Sequence, residues 1–238
     1  MDRWKTTISN QVTIEDSAKA QSVAKAFDCK VPNTSKFSIN VDLPSPATDG
    51  WKIGLIVGSS GSGKTTIAKK LFGKNFFRRK SFTWDSRQSI LNGFPSEMSI
   101  GEITNLLTSV GLTTVPSWFR PYKVLSNGEK DRVFIARVIA EAVVQKLDYV
   151  AIDEFTSVVD RTVAKISSKA IASLIRKRPI RVILLSCHFD IIDWLSPDWA
   201  FETDTESLTW LKKKVPQYHS NYSRYRWQVG RCSVNIII

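Results

Sequence analysis

Cysteine and histidine are scarce in this chain. Three cysteines stand at positions 29, 187 and 232, and two histidines at 188 and 219. The cysteines are odd in number, far apart and not at metal-ligand spacing. Neither a disulfide framework nor a zinc site is expected; reduced thiols of a cytosolic protein are. Two histidines exclude a histidine-rich metal site. Long apolar runs are also missing. The longest, such as Val182–Leu185 and Ile236–Ile238, fall far short of the roughly 18–20 residues that cross a bilayer. The opening residues, MDRWKTTISN, lack the apolar core of a secretory signal. Direct membrane insertion is therefore not expected, and the expected location is cytoplasmic. There is no internal repeat and no sustained heptad pattern, which excludes solenoids and coiled coils.

Positive charge is in excess. The formal net charge is +12 over 238 residues, and it is concentrated. Lys69, Lys70, Lys74, Arg78, Arg79 and Lys80 form one block with no acid among them. Lys212, Lys213, Lys214, Arg224, Arg226 and Arg231 form a second, with no acid from 212 to the end. The rest of the chain is neutral. Aromatics are interleaved with both blocks: Phe72, Phe76 and Phe77 in the first, and Tyr218, Tyr222, Tyr225 and Trp227 in the second. Basic plus aromatic composition suits phosphate contacts and base stacking, so a nucleic-acid partner is expected. A solvated helix face and a loose tail remain the plainer explanation of the same residues.

Hydrophobic periodicity predicts alternating strands and helices. Ser17–Phe27 reads as a short helix. Phe37–Leu43 alternates apolar and polar, as a half-buried strand does. Ile53–Val57, Tyr149–Ile152 and Ile180–Ser186 read as buried strands. Helices are expected over Thr65–Phe72, residues 98–115, Glu129–Lys146, Thr162–Arg176 and Asp190–Leu195, and a closing hairpin over Trp199–Thr203 and Leu208–Leu211. The pattern predicts an α/β fold: a mostly parallel sheet flanked by helices, with a short helical subdomain near residues 85–140 and an antiparallel N-terminal strand region. The expected division is an N-terminal extension (1–36), a main domain (37–211) and a basic, aromatic tail (212–238).

Three motifs carry chemistry. The first is Gly58-Ser59-Ser60-Gly61-Ser62-Gly63-Lys64-Thr65-Thr66, between a strand and a helix. Its glycines let backbone N–H groups turn around phosphate oxygens, and the helix aims its positive end at the same anion. This is the P-loop of a nucleoside-triphosphatase, with Lys64 expected on the β- and γ-phosphates and Thr65 on Mg2+. The second is the strand ending in Asp153-Glu154. Asp153 is expected to hold Mg2+ through water, and Glu154 to polarise the attacking water as general base. The third, Leu125-Ser126-Asn127-Gly128-Glu129, is by itself a helix N-cap.

Taken with its neighbours, LSNGE resembles the signature of ATP-binding cassette (ABC) ATPases, usually LSGGQ or LSGGE. Asp153-Glu-Phe-Thr-Ser-Val-Val-Asp160 is similar to the family's DEPTSALD. His188, in Leu185-Ser-Cys-His188, resembles the switch histidine. Four motifs in the family's order span roughly residues 37–203. The resemblance implies Mg-ATP hydrolysis in a head-to-tail homodimer formed on ATP binding. Gly58–Thr66 would wrap the triphosphate in one subunit. The signature (Ser126, Asn127, Gly128, Glu129) would meet it from the other, Ser126 and Gly128 touching the γ-phosphate. Glu154 would be the base, His188 would contact the γ-phosphate, and Asp160 would lie in the loop that crosses the interface. For the γ-phosphate-sensing, metal-contacting glutamine the candidates are Gln88 by type and Asp85 by place. For the aromatic that stacks on adenine they are Phe27 and then Phe37. Asn127 and Phe155 replace the usual glycine and proline.

The stretches Trp118–Glu129, Asp153–Arg161 and Ser186–Trp199 are similar to a group of soluble ABC-type ATPases of prokaryotes and their phages, often fused to a predicted acetyltransferase domain. That resemblance implies an acetyltransferase or other protein partner. The 62 residues from Lys64 to Ser126 are a shorter insert than transporter cassettes carry. The ATP-binding subunit of a transporter is the alternative.

Overall fold

The structure is a computed structural model describing residues 3–48 and 50–211. The tail 212–238, including Cys232 and His219, lies outside the described residues. Strands β1 (Arg3–Thr13) and β2 (Thr34–Pro44) form a two-stranded antiparallel sheet, with Arg3 opposite Pro44 and Thr13 opposite Thr34. Between them lies α1 (Ala18–Ala26), capped by Ser17. The remaining strands are β3 (Ile53–Val57), β4 (Phe76–Phe77), β5 (Tyr149–Ile152), β6 (Arg181–Ser186), β7 (Trp199–Glu202) and β8 (Ser207–Trp210). They form one sheet in the order β4-β5-β6-β3-β7-β8. All of its pairs are parallel except β7 with β8.

The sheet is buried on both faces, as parallel sheets are. Alternate residues of each strand face opposite cores. Ile53, Leu55, Val57, Val150, Ile152, Val182 and Leu184 face the core built with α5 (Asn127–Val144), α6 (Arg161–Arg176) and α3 (Ile100–Ser109). Ile56, Ala151, Ile183 and Leu185 face the other core, filled by Ile67 and Phe72 of α2 (Lys64–Phe72) and by Ile39, Val41 and Leu43 of β2.

Several sequence expectations shift. The helix expected over 98–115 is α3 followed by a break and a single turn, α4 (Val115–Trp118). Gly111 has φ +87° and turns the chain away, a conformation glycine adopts without strain. The N-terminal residues form β1, and the division at 36/37 runs through β2. In β1 only Ile8 is buried, beside partly buried Trp4, so no apolar alternation advertises the strand. The short helix α7 (Ile191–Leu195) follows β6 as expected. Among the described residues no helix is long and apolar enough to cross a membrane.

Candidate functional site

The buried strand β3 delivers the P-loop at the carboxyl edge of the sheet, where open α/β sheets bind ligands. Gly61 and Gly63 have φ of +84° and +91°, values that favour glycine. A methyl on Gly58 would lie 1.9 Å from the Thr203 hydroxyl, and one on Gly63 2.1 Å from the Phe37 ring. Lys64 Nζ donates to the carbonyls of Gly58 (2.8 Å) and Ser59 (2.6 Å). Burial lowers its pKa, opposed by Cys187, Asp204 and Asp153. Sequence reasoning missed Asp204, whose carboxylate takes the Ser59 N–H at 2.8 Å and its hydroxyl at 2.7 Å and so steadies the loop.

Asp153 directly follows β5 and is buried. Its Oδ2 accepts the Thr65 hydroxyl at 3.0 Å, and its Oδ1 accepts the Glu154 N–H at 3.0 Å. A hydroxyl and a carboxylate thus converge on one point at the P-loop, hard oxygen donors that suit Mg2+ with its retained waters. The turn after β5 is sharp. Glu154 and Thr156 both have left-handed backbones, φ +56° and +59°, strain of the kind that concentrates at functional sites. Ser186 ties this turn to the loop after β6, donating to the Phe155 carbonyl at 3.0 Å and accepting the His188 N–H at 3.1 Å. Ser60, Gly61, Gly63–Thr66, Asp153, Glu154 and Leu185–Cys187 line a cavity of about 400 Å3. His188 follows that lining directly.

Ser126–Glu129 do not line this cavity. They open α5 with a capping box: the Glu129 N–H reaches Ser126 Oγ, and Glu129 Oε2 takes the Ser126 N–H. The Ser117 hydroxyl donates to Glu129 at 2.7 Å, the main reason its pKa is lowered. The helix-cap reading and the anion-site reading therefore coexist, since an exposed helix start still presents free N–H groups. Asp160 caps α6 through the Thr162 N–H at 2.9 Å. Arg161 pairs with Asp190 and lies over the Trp194 ring, joining the Asp160 loop to the loop of His188.

A partly buried ion pair links α5 to the turn that follows β4. Arg79 Nη2 lies 2.5 Å from Asp131 Oδ1, and Asp131 also accepts the Thr156 N–H. Burial pushes the Asp131 carboxyl up from 3.8 to about 6, with Arg79, Arg132 and Thr156 pulling it back. A carboxyl raised by folding binds more protons in the folded state, so its contribution is largest below its unfolded pKa and is lost as pH rises through about 6. The effect is at most about 3 kcal/mol, from 1.4 kcal/mol per pKa unit. Asp131→Asn lacks this slope. Its unfolding free energy is expected to gain on wild type between about pH 4.5 and about pH 7, measured by denaturant unfolding; a constant difference contradicts the assignment.

The structure does not bring Gln88 to the P-loop. Gln88 and Asp85 line a separate cavity of about 390 Å3 with Trp84, Ser89 and Asn92, and Gln88 accepts from Asn92 at 3.0 Å. Residue type suggested Gln88; the path of the chain takes it elsewhere. Phe27 is 77% exposed at the end of α1, whereas Phe37 is the aromatic that touches the loop, at Gly63. The first basic block is also partly spent inside the fold. Phe72 and Phe77 are core, Arg79 pairs with Asp131, and Arg78 pairs with Asp153 at 3.2 Å. Lys69, Lys70, Lys74 and Lys80 stay exposed.

No family model matches the chain, and no curated protein matches it. Solved structures do. The dimeric structure of a bacterial ABC transporter cassette superposes with a TM-score of 0.54 at 17% identity, over 74% of this chain and 93% of that one. A dimeric ATP-binding cassette in a post-hydrolysis state, bound to ADP and Pi, gives 0.55 at 16% identity over the same shares. CbiO1 of Clostridium perfringens, part of the transporter complex CbiONQ, gives 0.52 at 19%, over 69% and 76%. The chain has the fold of an ATP-binding cassette. Within this cassette fold the two departures from the family's wording have local reasons. Asn127 is the first residue of α5 and has a helical backbone, which does not require glycine. Phe155 is buried, and its N–H donates to the Leu185 carbonyl at 2.8 Å, a bond proline cannot make. A methyl on Gly128 would lie 3.2 Å from Val163 of α6.

Proposed function

We propose that the chain binds Mg-ATP at Gly58–Thr66 and hydrolyses it between two copies arranged head to tail. The observation that carries this reading is the convergence of Lys64, Thr65, Asp153 and Glu154 on one cavity whose lining does not include the signature at the start of α5. A site with its base and metal ligands present, and its second anion-binding helix elsewhere, is completed by a second copy. In this reading the P-loop N–H groups and Lys64 hold the phosphates. Thr65 and Asp153 hold Mg2+, which when bound draws charge from the β- and γ-phosphate oxygens. Glu154 takes a proton from water aimed at the terminal phosphorus. Ser126 and the N–H groups of Asn127 and Gly128 meet the γ-phosphate from the other copy, with Glu129 fixing Ser126. His188 contacts the same phosphate, and Asp160 crosses the interface. Phe37, and less directly Phe27, are the aromatics offered to adenine. The test is Mg-dependent release of phosphate from ATP by the purified chain. Turnover that persists in EDTA contradicts the assignment of Thr65 and Asp153.

Two couplings follow from different observations. The basic tail and the exposed Lys69, Lys70, Lys74 and Lys80 support a nucleic-acid partner, although Phe72 and Phe77 are core and Arg78 and Arg79 pair with Asp153 and Asp131. Binding of DNA or RNA that falls steeply with salt and raises turnover is expected; no binding at about 50 mM salt removes the idea. An acetyltransferase or other protein partner rests on the sequence resemblance alone. The second reading is the ATP-binding subunit of a transporter, favoured by the transporter cassettes among the structural neighbours. It requires a membrane protein that co-purifies with the chain.

A further inference from the structure

The cavity at the P-loop is short of positive charge. Among the described residues that line it, Lys64 is the only cation, against the carboxylates of Asp153 and Glu154. A triphosphate brought there would meet two acids and one lysine. We propose that Arg78 supplies the second cation: it holds Asp153 while the site is free of nucleotide, and transfers to the terminal phosphate when Mg-ATP binds. The proposal rests on the ATP reading given above.

Four observations place Arg78 for this. Strand β4 is two residues long and runs parallel to β5, Phe77 opposite Ile152. The Phe77 carbonyl accepts the Asp153 N–H at 3.0 Å. Arg78 therefore leaves the sheet level with Asp153, at the edge where ligands bind. Its Nε lies 3.2 Å from Asp153 Oδ2, the oxygen that also takes the Thr65 hydroxyl. The guanidinium thus sits against the group that would face the metal, and a dication there would compete with it for the same carboxylate. Its freedom differs from that of its neighbour. The Arg78 side chain is 40% exposed, and its backbone is pinned by the Ser81 hydroxyl at 2.9 Å. Arg79 is held at Asp131 and is 23% exposed. Finally, Gln88 and Asp85, the residues whose types suggested phosphate sensing, line another cavity. A guanidinium stays charged and presents a planar fork that matches phosphate oxygens, and arginines supplied in cis act this way in other phosphoryl-transfer enzymes.

The experiment is calorimetric titration of the chain with the β,γ-imido analogue of ATP and with ADP, both with Mg2+. It is run on wild type, Arg78→Ala and Arg78→Lys, with thermal melts to verify folding. Loss of a charge-assisted contact to the terminal phosphate is expected to weaken the triphosphate analogue about 10- to 100-fold, and ADP by less than roughly threefold. Arg78→Lys is expected to fall between wild type and Arg78→Ala, and carries the test alone should the alanine variant not fold. Equal weakening of both nucleotides, or no change in either, overturns the proposal and leaves Arg78 a structural partner of Asp153. Wild type that binds neither nucleotide instead overturns the ATP reading itself.

Discussion

Glu154→Gln is expected to lower the ATP turnover of this chain by about 10^2- to 10^4-fold while nucleotide binding survives, the range that loss of a positioned general base produces. The substitution keeps the size of the side chain and removes its capacity to take a proton. The backbone should not move. The left-handed turn at Glu154 is anchored on both sides, by its own N–H to Asp153 and by Phe155 to the Leu185 carbonyl. A catalytic defect with intact binding should also leave the nucleotide trapped between two copies, so the variant should elute as a dimer in Mg-ATP and as a monomer without it. Phosphate release and light scattering read the two effects separately. Turnover within a few-fold of wild type would remove Glu154 from the role of base.

Lys64→Ala is expected to act at the earlier step. Wild-type Lys64 Nζ lies across the loop, on the carbonyls of Gly58 and Ser59, poised above the hollow that the phosphates would fill. Its loss removes a charge-assisted contact to the β- and γ-phosphates, and ATP affinity should fall about 10- to 100-fold. Turnover should fall with it. The fold should tolerate the change, because α2 is anchored by Ile67, Ala68 and Phe72 and Asp204 keeps its own hold on Ser59. Binding by equilibrium titration and stability by thermal melt distinguish a lost phosphate contact from a lost structure.

Much of this site could be read before the structure, for local reasons. Strands β3 and β5 begin and end where their apolar runs do, bounded by glycine, lysine or acid. The P-loop and Asp153-Glu154 are contiguous motifs whose chemistry depends on spacing along the chain. Harder features depend on pairing between distant segments. Strand β1 is exposed along most of its length and exists because β2 pairs with it residue for residue. Strand β4 is too short to carry a period, yet its register against β5 sets Arg78 beside Asp153. Asp204 reaches the P-loop from 145 positions away. Gln88 shows the converse error: a residue of the right type, three positions after Asp85, that the chain carries into a different cavity. The charge block at 69–80 misled for a related reason. Its arginines and phenylalanines look like a surface in sequence, and four of the five are partners of buried acids or part of the core.

The central claim is that each ATP site is divided between two copies, and mixing two inactive variants tests it. Lys64→Ala disables a P-loop and spares the signature. Ser126→Phe places a large ring at the start of α5 and spares the P-loop. Each should be inactive alone. In an equimolar mixture half the dimers pair one variant with the other, and each such dimer holds one intact P-loop facing one intact signature. Phosphate release from the mixture should therefore return to about a quarter of the wild-type rate, as a symmetric two-site dimer requires. A mixture no more active than its two components would contradict a site shared between copies.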